Sequence, residues 1–566
     1  MIARADALEA LAAETFDVVV IGGGITGAGV AFDAATRGYS VALVERADYA
    51  AGTSSRSSKL VHGGLRYLQN FDLGLVREAL LERQLMVALA PHLVRPLPLV
   101  VAAFDGERPD RRTGVGLNLY DVMSVERLRR PARPRLRGRG SAATAAVAAD
   151  PAEWSPERHR MISGEEVLEL VPALAARAPT SGYLFYDCQT DDARLVLTVL
   201  AEAERFGAVS ANGVDVTELV NSAGRAAGVR VRERPGGGEF VVRGANVVNA
   251  TGVWADRLRP EELHDEAEVP RIRPSRVTHN TLLREDLPLA AGGAIVPAGG
   301  GRSIFALPWL GRTLLGTTDN DYEGALESHH VAPAAQDVAY LLDATNEYFK
   351  TALRPADLTG AYAGVRPLIS TGDPRKSVDI SRKAELYETS SGMVTITGGK
   401  LTTWRRMAKM TVDRLVDREA RDAPCRTHEI PLGAPVAVAD LPRVNGVPAG
   451  SYAALAGRYG HAAHDVLAVA RERRELARPI GAGLPDLLAE VVHAARREQA
   501  RSLGDVLLRR TRLGLLAGRE IGAGGDAARR VADALAPELG WDEREIAAQL
   551  RAWGAEATAE GVVGSA

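Results

Sequence analysis

The sequence predicts an α/β protein in which a Rossmann-type dinucleotide-binding domain precedes a separate helical C-terminal domain. The β-branched run Val18–Ile21 is typical of a strand buried in a parallel sheet, and a glycine-rich turn, a helical stretch and a second strand at 40–44 follow it. With 566 residues, the chain exceeds the roughly 250–300 residues at which one core stops growing. From about residue 425, apolar residues recur at helical spacing, as at 484, 487, 488, 491, 492 and 495.

The composition is that of an ordinary globular protein. Hydrophobic residues make up 46% and charged residues 25% of the chain, and the mean hydropathy is −0.08. A net charge of −3 gives no sign of a nucleic-acid partner. Cys188 and Cys425 stand far apart, which argues against a disulfide framework and fits a reducing cytoplasm. Because neither a signal peptide nor a run of about 18 uncharged apolar residues occurs, we expect a soluble or peripheral protein.

The first strand, turn and helix carry a dinucleotide fingerprint. Gly22 would make the tight turn, Gly24 would let backbone amides reach a pyrophosphate, and Gly27 would let helix and strand pack closely. The helix N-terminus supplies a positive dipole end to the phosphates, and Glu45, at the end of the second strand, is placed to accept from ribose hydroxyls. The later glycine clusters do not lie between a strand and a helix. One dinucleotide is therefore expected, and the fingerprint alone leaves FAD and NAD both open.

Three further patterns mark the organisation of the chain. Ser163 followed by Glu165 and Glu166 predicts the start of a helix. The runs 229–233 and 240–242, separated by a proline and three glycines, predict a hairpin. Seven arginines fall within residues 127–139, which predicts a surface insertion that is either solvated or lies against anionic lipid headgroups.

Several segments resemble the FAD-dependent glycerol-3-phosphate dehydrogenases, and they occur in family order over about 400 residues. They are Thr53–Leu68, Tyr186–Arg194, Asn249–Trp254, Gly316–Asp319, Gly364–Leu368 and Gly398–Thr403. The segments Leu503–Leu507 and Arg509–Arg512 resemble the helical C-terminal domain of that family.

The resemblance implies the fold of D-amino-acid-oxidase-like flavoproteins: a Rossmann-type FAD-binding domain, an antiparallel-sheet substrate domain and a C-terminal helical domain. We assign residues 16–98, 180–270 and 355–415 to the FAD-binding domain, and residues 99–179 and 271–354 to the substrate domain, with a basic insertion at 127–149. The C-terminal helical domain is assigned to residues 425–560.

The resemblance also implies an activity and its partners. The expected reaction oxidises sn-glycerol 3-phosphate to dihydroxyacetone phosphate by hydride transfer to FAD, with electrons then passed to membrane quinone. The expected location is cytoplasmic, attached peripherally to the anionic inner face of the cell membrane. A homodimer is left open, and no nucleic acid is expected.

Catalytic and substrate-binding roles follow from matching positions. His279 matches the active-site histidine, and a neutral imidazole suits removal of the hydroxyl proton, although an arginine-assisted or solvent base stays open. Arg66, Arg366 and Arg382 match phosphate-binding positions, where guanidinium groups bind a dianion well, and Tyr67 is expected to line the substrate site. We predict that the catalytic residues are His279, Arg366 and Lys400, whose role is described next.

The lysines are few and therefore informative. Only six of the 69 basic residues are lysine, so Lys59 and Lys400 within motif segments suggest a need for a compact charge. We hypothesise that Lys400, with the amides of 398–403, stabilises negative charge at flavin N1/O2. The predicted cofactor-binding residues are Gly22, Gly24, Gly27, Glu45, Thr53, Ser54, Ser58, Lys59, His62, Gly63, Gly64, Gly252, Gly399, Lys400, Leu401 and Thr402.

Alternatives to a quinone-linked dehydrogenase remain at this stage. The same residues would serve a glycerol-3-phosphate oxidase that uses oxygen, and a flavin-binding redox sensor without turnover is a different class of function. No metal is predicted, because the pairs His329/His330 and His461/His464 have no cysteine or clear carboxylate set beside them in the sequence.

Overall fold

The computed structural model describes residues 1–64, 72–107, 110–124, 158–258, 271–324, 326, 329–370, 384–522 and 525–562. Their strands are β1 Thr15–Ile21, β2 Val41–Val44, β3 Leu60–Val61, β4 Arg95–Ala103, β5 Arg160–Ser163, β6 Ser181–Gln189, β7 Val209–Ala211, β8 Val214–Ser222, β9 Arg225–Glu233, β10 Glu239–Asn249, β11 Arg271–Leu283, β12 Gly293–Pro297, β13 Ser303–Trp309, β14 Arg312–Gly316, β15 Asn320–Asp321, β16 Leu358–Ser370, β17 Ala384–Glu388 and β18 Val394–Gly398.

The α-helices of the same ranges are α1 Arg4–Ala13, α2 Ile25–Thr36, α3 Leu73–Leu89, α4 Arg111–Ser124, α5 Gly164–Leu170, α6 Asp192–Arg205, α7 Ala335–Phe349, α8 Trp404–Glu419, α9 Ala449–Tyr459, α10 Ala463–Glu472, α11 Leu488–Arg497, α12 Leu513–Leu516, α13 Gly518–Ile521, α14 Asp526–Leu539 and α15 Glu543–Glu560. A π-helical turn spans Asp505–Arg510. Among these helices, none has an apolar stretch long enough to cross a bilayer.

The first sheet forms around the predicted βαβ unit. Its order is β17-β18-β10-β1-β2-β7, in which β18, β10, β1, β2 and β7 run parallel. Helices α2, α6 and α8 bury one face of this sheet in a shared core. Helices α2 and α8 approach closely because Gly29 has no side chain: a Cβ there would lie 2.6 Å from the Trp404 ring. The apolar run of β1 is buried as the sequence predicts.

The second sheet is mostly antiparallel. Its order is β15-β11-β14-β13-β12-β4-β6-β3, with β16 paired to β11 and β5 to β6. Strands β12 and β4 of this sheet pair in parallel. Helices α5 and α7 pack their apolar faces against it. The two sheets therefore give the predicted combination of a Rossmann-type domain and an antiparallel-sheet domain.

The C-terminal residues form a separate helical core. Residues of α9, α10, α11, α14 and α15 contribute to it, and Trp553 is 1% exposed at its centre. The predicted apolar stripe is buried except at Ala495, which is partly buried. Helix α11 begins only at Leu488, and Leu487 instead forms a bridge with Pro479. The helical character predicted from residue 425 onward is confirmed.

Two local predictions are confirmed. Strands β9 and β10 form the predicted hairpin, with Val229 opposite Val242, and Ser163 caps α5 in a capping box with Glu166. Strands β6 and β16, which the sequence places in the FAD-binding segments 180–270 and 355–415, pair within the second sheet. A local pattern identifies a strand but does not specify its partner, so sheet membership is not visible in it. The arginine-rich insertion lies outside the described residues.

Candidate active site

A cavity of about 790 Å³ lies where the two sheets meet. Its walls come from the turn after β1, the end of β2, residues 51–58, the loop after β10, part of β16 and the loop after β18. This volume is within the range of small-molecule and cofactor sites. The carboxyl ends of β1, β2, β10 and β18 point to the same edge, where ligands of parallel sheets bind.

The glycine-rich turn is built for close backbone approach. Gly22 has a φ of +111°, and a Cβ there would lie 2.7 Å from the carbonyl oxygen of Ala250. A Cβ on Gly27 would lie 1.9 Å from the carbonyl oxygen of Gly22. Gly24 is the N-cap of α2 and lines the cavity. The helix N-terminus therefore faces the cavity, with Ser54 Oγ accepting from the backbone N–H of Ile25 at 2.9 Å. The positive end of the helix dipole favours an anion such as a pyrophosphate there.

Glu45 is fixed at the end of β2. Its carboxylate accepts hydrogen bonds from the backbone N–H groups of Gly23 at 2.7 Å and Ala47 at 2.8 Å. Burial raises the pKa of Glu45, while these two N–H donors partly oppose that rise. A carboxylate has about four acceptor positions, so the side chain can still accept from hydroxyl groups of a ligand in the cavity that it lines.

The opposite end of the cavity is formed by the loop after β18. Gly398 and Gly399 both have positive φ values, +75° and +68°, and a Cβ on Gly399 would lie 2.3 Å from the Met407 sulfur. Thr402 Oγ1 accepts from the backbone N–H of His62 at 3.1 Å and donates to its carbonyl oxygen at 3.2 Å. These contacts hold the loop carrying Lys400 against the end of β3.

His279 lies in β11 of the second sheet, between β14 and β16, and beside the cavity. It is 1% exposed, its ring stacks on Tyr362 with centroids 4.8 Å apart, and its Nε2 lies 2.9 Å from Ser58 Oγ. Burial, with further contributions from Lys59 and Arg366, holds the pKa of His279 well below its ordinary value. The imidazole is therefore neutral, with one ring nitrogen unprotonated.

Arg366 reaches the cavity from β16. Its Nη1 lies 3.0 Å from Asp319 Oδ2, and Asp319 in turn accepts a hydrogen bond from Ser275 at 2.5 Å. The carboxylate helps to orient the guanidinium, and a guanidinium fork is a group that binds oxyanions well.

Lys59 lies behind the cavity wall. Its ammonium is fully buried, 2.8 and 2.9 Å from the two carboxylate oxygens of Asp192 and 2.6 Å from the carbonyl oxygen of Ser55. Burial lowers the pKa of Lys59 to about 7, although Asp192 opposes the shift. In this arrangement Lys59 fixes the segment 55–59, and its ammonium lies 4.7 Å from the centre of the Tyr362 ring.

The structure brings most of the predicted site residues together. The predicted residues that line the cavity are Gly22, Gly24, Glu45, Thr53, Ser54, Ser58, His62, Gly252, Arg366, Gly399, Lys400, Leu401 and Thr402. The predicted residues that do not line it are Gly27, Lys59, Gly63, Gly64 and His279. Arg66, Tyr67 and Arg382 lie outside the described residues.

Other cavity residues were not predicted. Arg46, Arg56, Arg234 and Arg257 line the cavity, and Arg46 stacks on Trp254 at 4.4 Å. The signal for them was weak because arginine is common throughout this chain. Arg56 pairs with Glu560 and Arg234 pairs with Asp215, so the positive charge that these arginines bring to the cavity is partly compensated.

The C-terminal domain binds to the segment that carries the cavity wall. Asp48 accepts from Arg509 at 2.6 Å and from Arg510 at 2.8 and 2.9 Å. Arg512 donates to Asp192 at 3.1 Å and to the carbonyl oxygen of Ser55 at 2.7 Å. The segment 509–512, noted in the sequence only as a family block, thus connects the two domains.

One cluster has the composition of a metal site. His329, His330 and Glu556 place ligand atoms within 4.8 Å of one another. However, His330 Nδ1 lies 2.6 Å from Glu560 Oε1 and Arg509 lies 3.7 Å from Glu556. A cation would compete with these contacts, so the absence of a bound metal stays a prediction.

Comparisons with known proteins agree with this geometry. Residues 17–414 match the family model "FAD dependent oxidoreductase", and residues 425–546 match the model "C-terminal domain of alpha-glycerophosphate oxidase". The chain is 38% identical to the glycerol-3-phosphate dehydrogenase of Mycobacterium leprae, over 98% of this chain and 90% of that protein. The same identity and coverage relate it to glycerol-3-phosphate dehydrogenase 2 of Mycobacterium tuberculosis.

A solved structure extends the similarity to the whole fold. The glycerol-3-phosphate dehydrogenase of Bacillus halodurans, solved in complex with FAD, superposes with a TM-score of 0.75 at 27% identity. The alignment covers 99% of this chain and 97% of the other.

Proposed function

The chain belongs to the family of FAD-dependent glycerol-3-phosphate dehydrogenases, and on that premise we propose how it works. It binds FAD and glycerol 3-phosphate in the cavity between the two sheets, oxidises the C2 hydroxyl, and passes the electrons to a quinone at a membrane surface. The observation that carries the proposal is the continuity of the cavity, which connects the glycine-rich turn to Ser58, Arg366 and Lys400.

The residues present fit FAD. Gly22 and Gly27 permit the tight turn and close backbone packing that bring the N-terminus of α2 to the cavity, where a pyrophosphate would lie. Glu45 is placed to accept from the adenosine ribose. The segment 398–402 would hold the flavin ring, with Lys400 near its developing negative charge. When bound, FAD supplies the hydride acceptor.

The chain itself supplies proton removal and phosphate binding. His279 is neutral and lies next to the cavity, so it can take the proton that leaves the C2 hydroxyl. Arg366, oriented by Asp319, is placed to bind the phosphate. Arg66, Tyr67 and Arg382 are proposed to complete the substrate site on the strength of their motif positions.

An exposed apolar stripe supports attachment to a membrane. Val115, Leu119 and Val122 are 69%, 38% and 71% exposed and recur at i, i+4 and i+7 along α4. Arg111 and Arg112 begin the same helix, and the arginine-rich segment follows it in the sequence. Apolar side chains next to basic ones are what an anionic bilayer surface binds, and a quinone dissolved in that bilayer is then the nearest acceptor.

Two assays test the acceptor and the attachment. We expect rapid turnover with glycerol 3-phosphate and a soluble quinone analogue and little hydrogen peroxide in air; fast peroxide formation without quinone would instead support an oxidase. We also expect the Val115→Ser/Val122→Ser variant to sediment less with phosphatidylglycerol-containing vesicles. The control variant Val438→Ser, at a site 37% exposed in the C-terminal domain, should bind as the wild type does. Equal sedimentation of all three proteins would contradict the role of α4.

A further inference from the structure

The cavity and the histidine are separated by one side chain. Ser58 lines the cavity, and His279 is not among the lining residues and is 1% exposed. Ser58 Oγ lies 2.9 Å from His279 Nε2, a good hydrogen-bond distance. In this arrangement a molecule in the cavity meets the serine hydroxyl before it meets the imidazole.

The imidazole is packed too tightly to turn toward the cavity on its own. His279 lies in β11, directly opposite Gly316 of β14 on one side and Tyr362 of β16 on the other. The Tyr362 ring stacks on it at an interplanar angle of 10°. A Cβ on Gly316 would lie 2.2 Å from His279 Cδ2, so the ring already occupies the space that a side chain there would need.

Ser58 is held equally firmly by its two neighbours. The backbone N–H and hydroxyl of Ser57 donate to Asp192 at 3.0 and 2.7 Å. The Lys59 ammonium binds the same carboxylate, and the Tyr362 hydroxyl donates to the carbonyl oxygen of Ser57 at 2.8 Å. The serine hydroxyl is therefore kept next to Nε2 by contacts on both sides.

We propose that Ser58 is a catalytic residue that relays the C2 hydroxyl proton of the substrate to His279. Ser58 Oγ accepts the substrate proton while its own proton moves to His279 Nε2. The electron pair of the broken O–H bond forms the C2–O double bond of the ketone, and the C2 hydrogen leaves as hydride to the flavin. This inference rests on the proposed function, which assigns oxidation at C2 and proton acceptance by His279.

The chemistry of His279 agrees with a relay. Among the described residues none hydrogen-bonds to Nδ1, so the contact between Ser58 and Nε2 is the one through which a proton can reach the ring; in the proposed relay Nε2 is the unprotonated nitrogen. The neutral state of the imidazole leaves that nitrogen free to take a proton. General acid–base assistance of this kind contributes roughly 10²–10⁴-fold to a rate.

Three variants of the FAD-loaded, full-length protein test the relay by anaerobic stopped-flow reduction of the flavin with glycerol 3-phosphate. We expect Ser58→Ala to slow flavin reduction by about 100-fold, with FAD content and substrate Kd unchanged. Ser58→Thr, which keeps the hydroxyl, should reduce its flavin at a rate within about 10-fold of the wild-type rate. His279→Asn should reduce its flavin slowly. A wild-type rate in Ser58→Ala would overturn the relay.

Two further readouts separate a relay from a structural role. In mixtures of H2O and D2O, the rate of flavin reduction in the wild type should change with the D2O fraction along a curve, because two protons move together. In Ser58→Ala the rate should change along a straight line. A straight dependence in the wild type overturns the relay even if Ser58→Ala binds FAD poorly. In the unreduced protein, the NMR signal of His279, assigned with His279→Asn, should shift in Ser58→Ala; an unchanged signal would contradict the hydrogen bond.

The His279→Asn result distinguishes the two levels of the account. If flavin reduction is fast in Ser58→Ala and slow in His279→Asn, the relay is wrong and His279 remains the base. If both variants are fast, the proposed base itself is wrong.

Discussion

Replacing Gly316 by alanine tests whether the position of His279 governs the reaction. The new Cβ would lie 2.2 Å from His279 Cδ2, whereas carbon atoms make contact at about 3.5–4.0 Å, so the ring must move by about 1.5 Å. A misplacement of about 1 Å can cost about 100-fold in rate, which corresponds to about 2.7 kcal/mol of activation free energy. Gly316 does not line the cavity, so FAD should remain bound.

The assay is anaerobic stopped-flow measurement of flavin reduction at saturating glycerol 3-phosphate. Gly450→Ala is the matched control, because a Cβ at that position meets nothing within 4 Å, and it should behave as the wild type. FAD content and the melting temperature establish that each variant is folded. If folded, FAD-loaded Gly316→Ala reduced its flavin at the wild-type rate, the packing argument for His279 would be refuted.

Three other perturbations address the cofactor and the domain contact. Gly27→Val should abolish FAD binding, because its side chain would collide with the carbonyl oxygen of Gly22; a wild-type ratio of flavin to protein absorbance would contradict this. Burial raises the pKa of Asp48, but Arg510 and its neighbour outweigh burial and hold that pKa at about 2, below the ordinary 3.8. Since the folded-state pKa is the lower one, this stabilisation is present above about pH 4 and is lost as the pH falls toward 2, a difference of about 2 kcal/mol in the free energy of unfolding. Urea unfolding at several acidic pH values should show this loss in the wild type and not in Asp48→Asn; parallel curves would contradict it. Lys400→Met should lower the flavin midpoint potential by about 30 mV for each 1.4 kcal/mol of lost stabilisation of the reduced flavin, and an unchanged potential in spectroelectrochemistry would exclude that role.

Local patterns predicted the parts of the fold that local sequence specifies. The strand, glycine turn and helix at 18–36 are confirmed because buried strands, tight turns and helix starts each leave a mark within a few residues. The helix start at Ser163 and the hairpin at 225–249 are confirmed for the same reason. Strands β6 and β16 lie in segments assigned to the FAD-binding domain but pair within the second sheet, which local sequence does not reveal because their partner strands lie far away in sequence.

The sequence singles out candidate site residues one by one, but it does not show which of them are in contact. Ser58 and His279 were both singled out, yet their contact joins positions 221 residues apart and has no local signal. Lys59 was expected to contact the cofactor, whereas the structure pairs it with Asp192. The burial of Arg510 against Asp48 was likewise invisible, because a run of arginines resembles a solvated surface until its acidic partner is located.

Anaerobic titration of the FAD-loaded protein with glycerol 3-phosphate, followed by flavin absorbance, tests most directly whether the cavity oxidises this substrate. We expect the yellow colour to bleach with one equivalent of substrate per flavin, while glycerol and a D-amino acid leave the spectrum unchanged. A protein that binds FAD and keeps its full absorbance in excess glycerol 3-phosphate would contradict the proposed function.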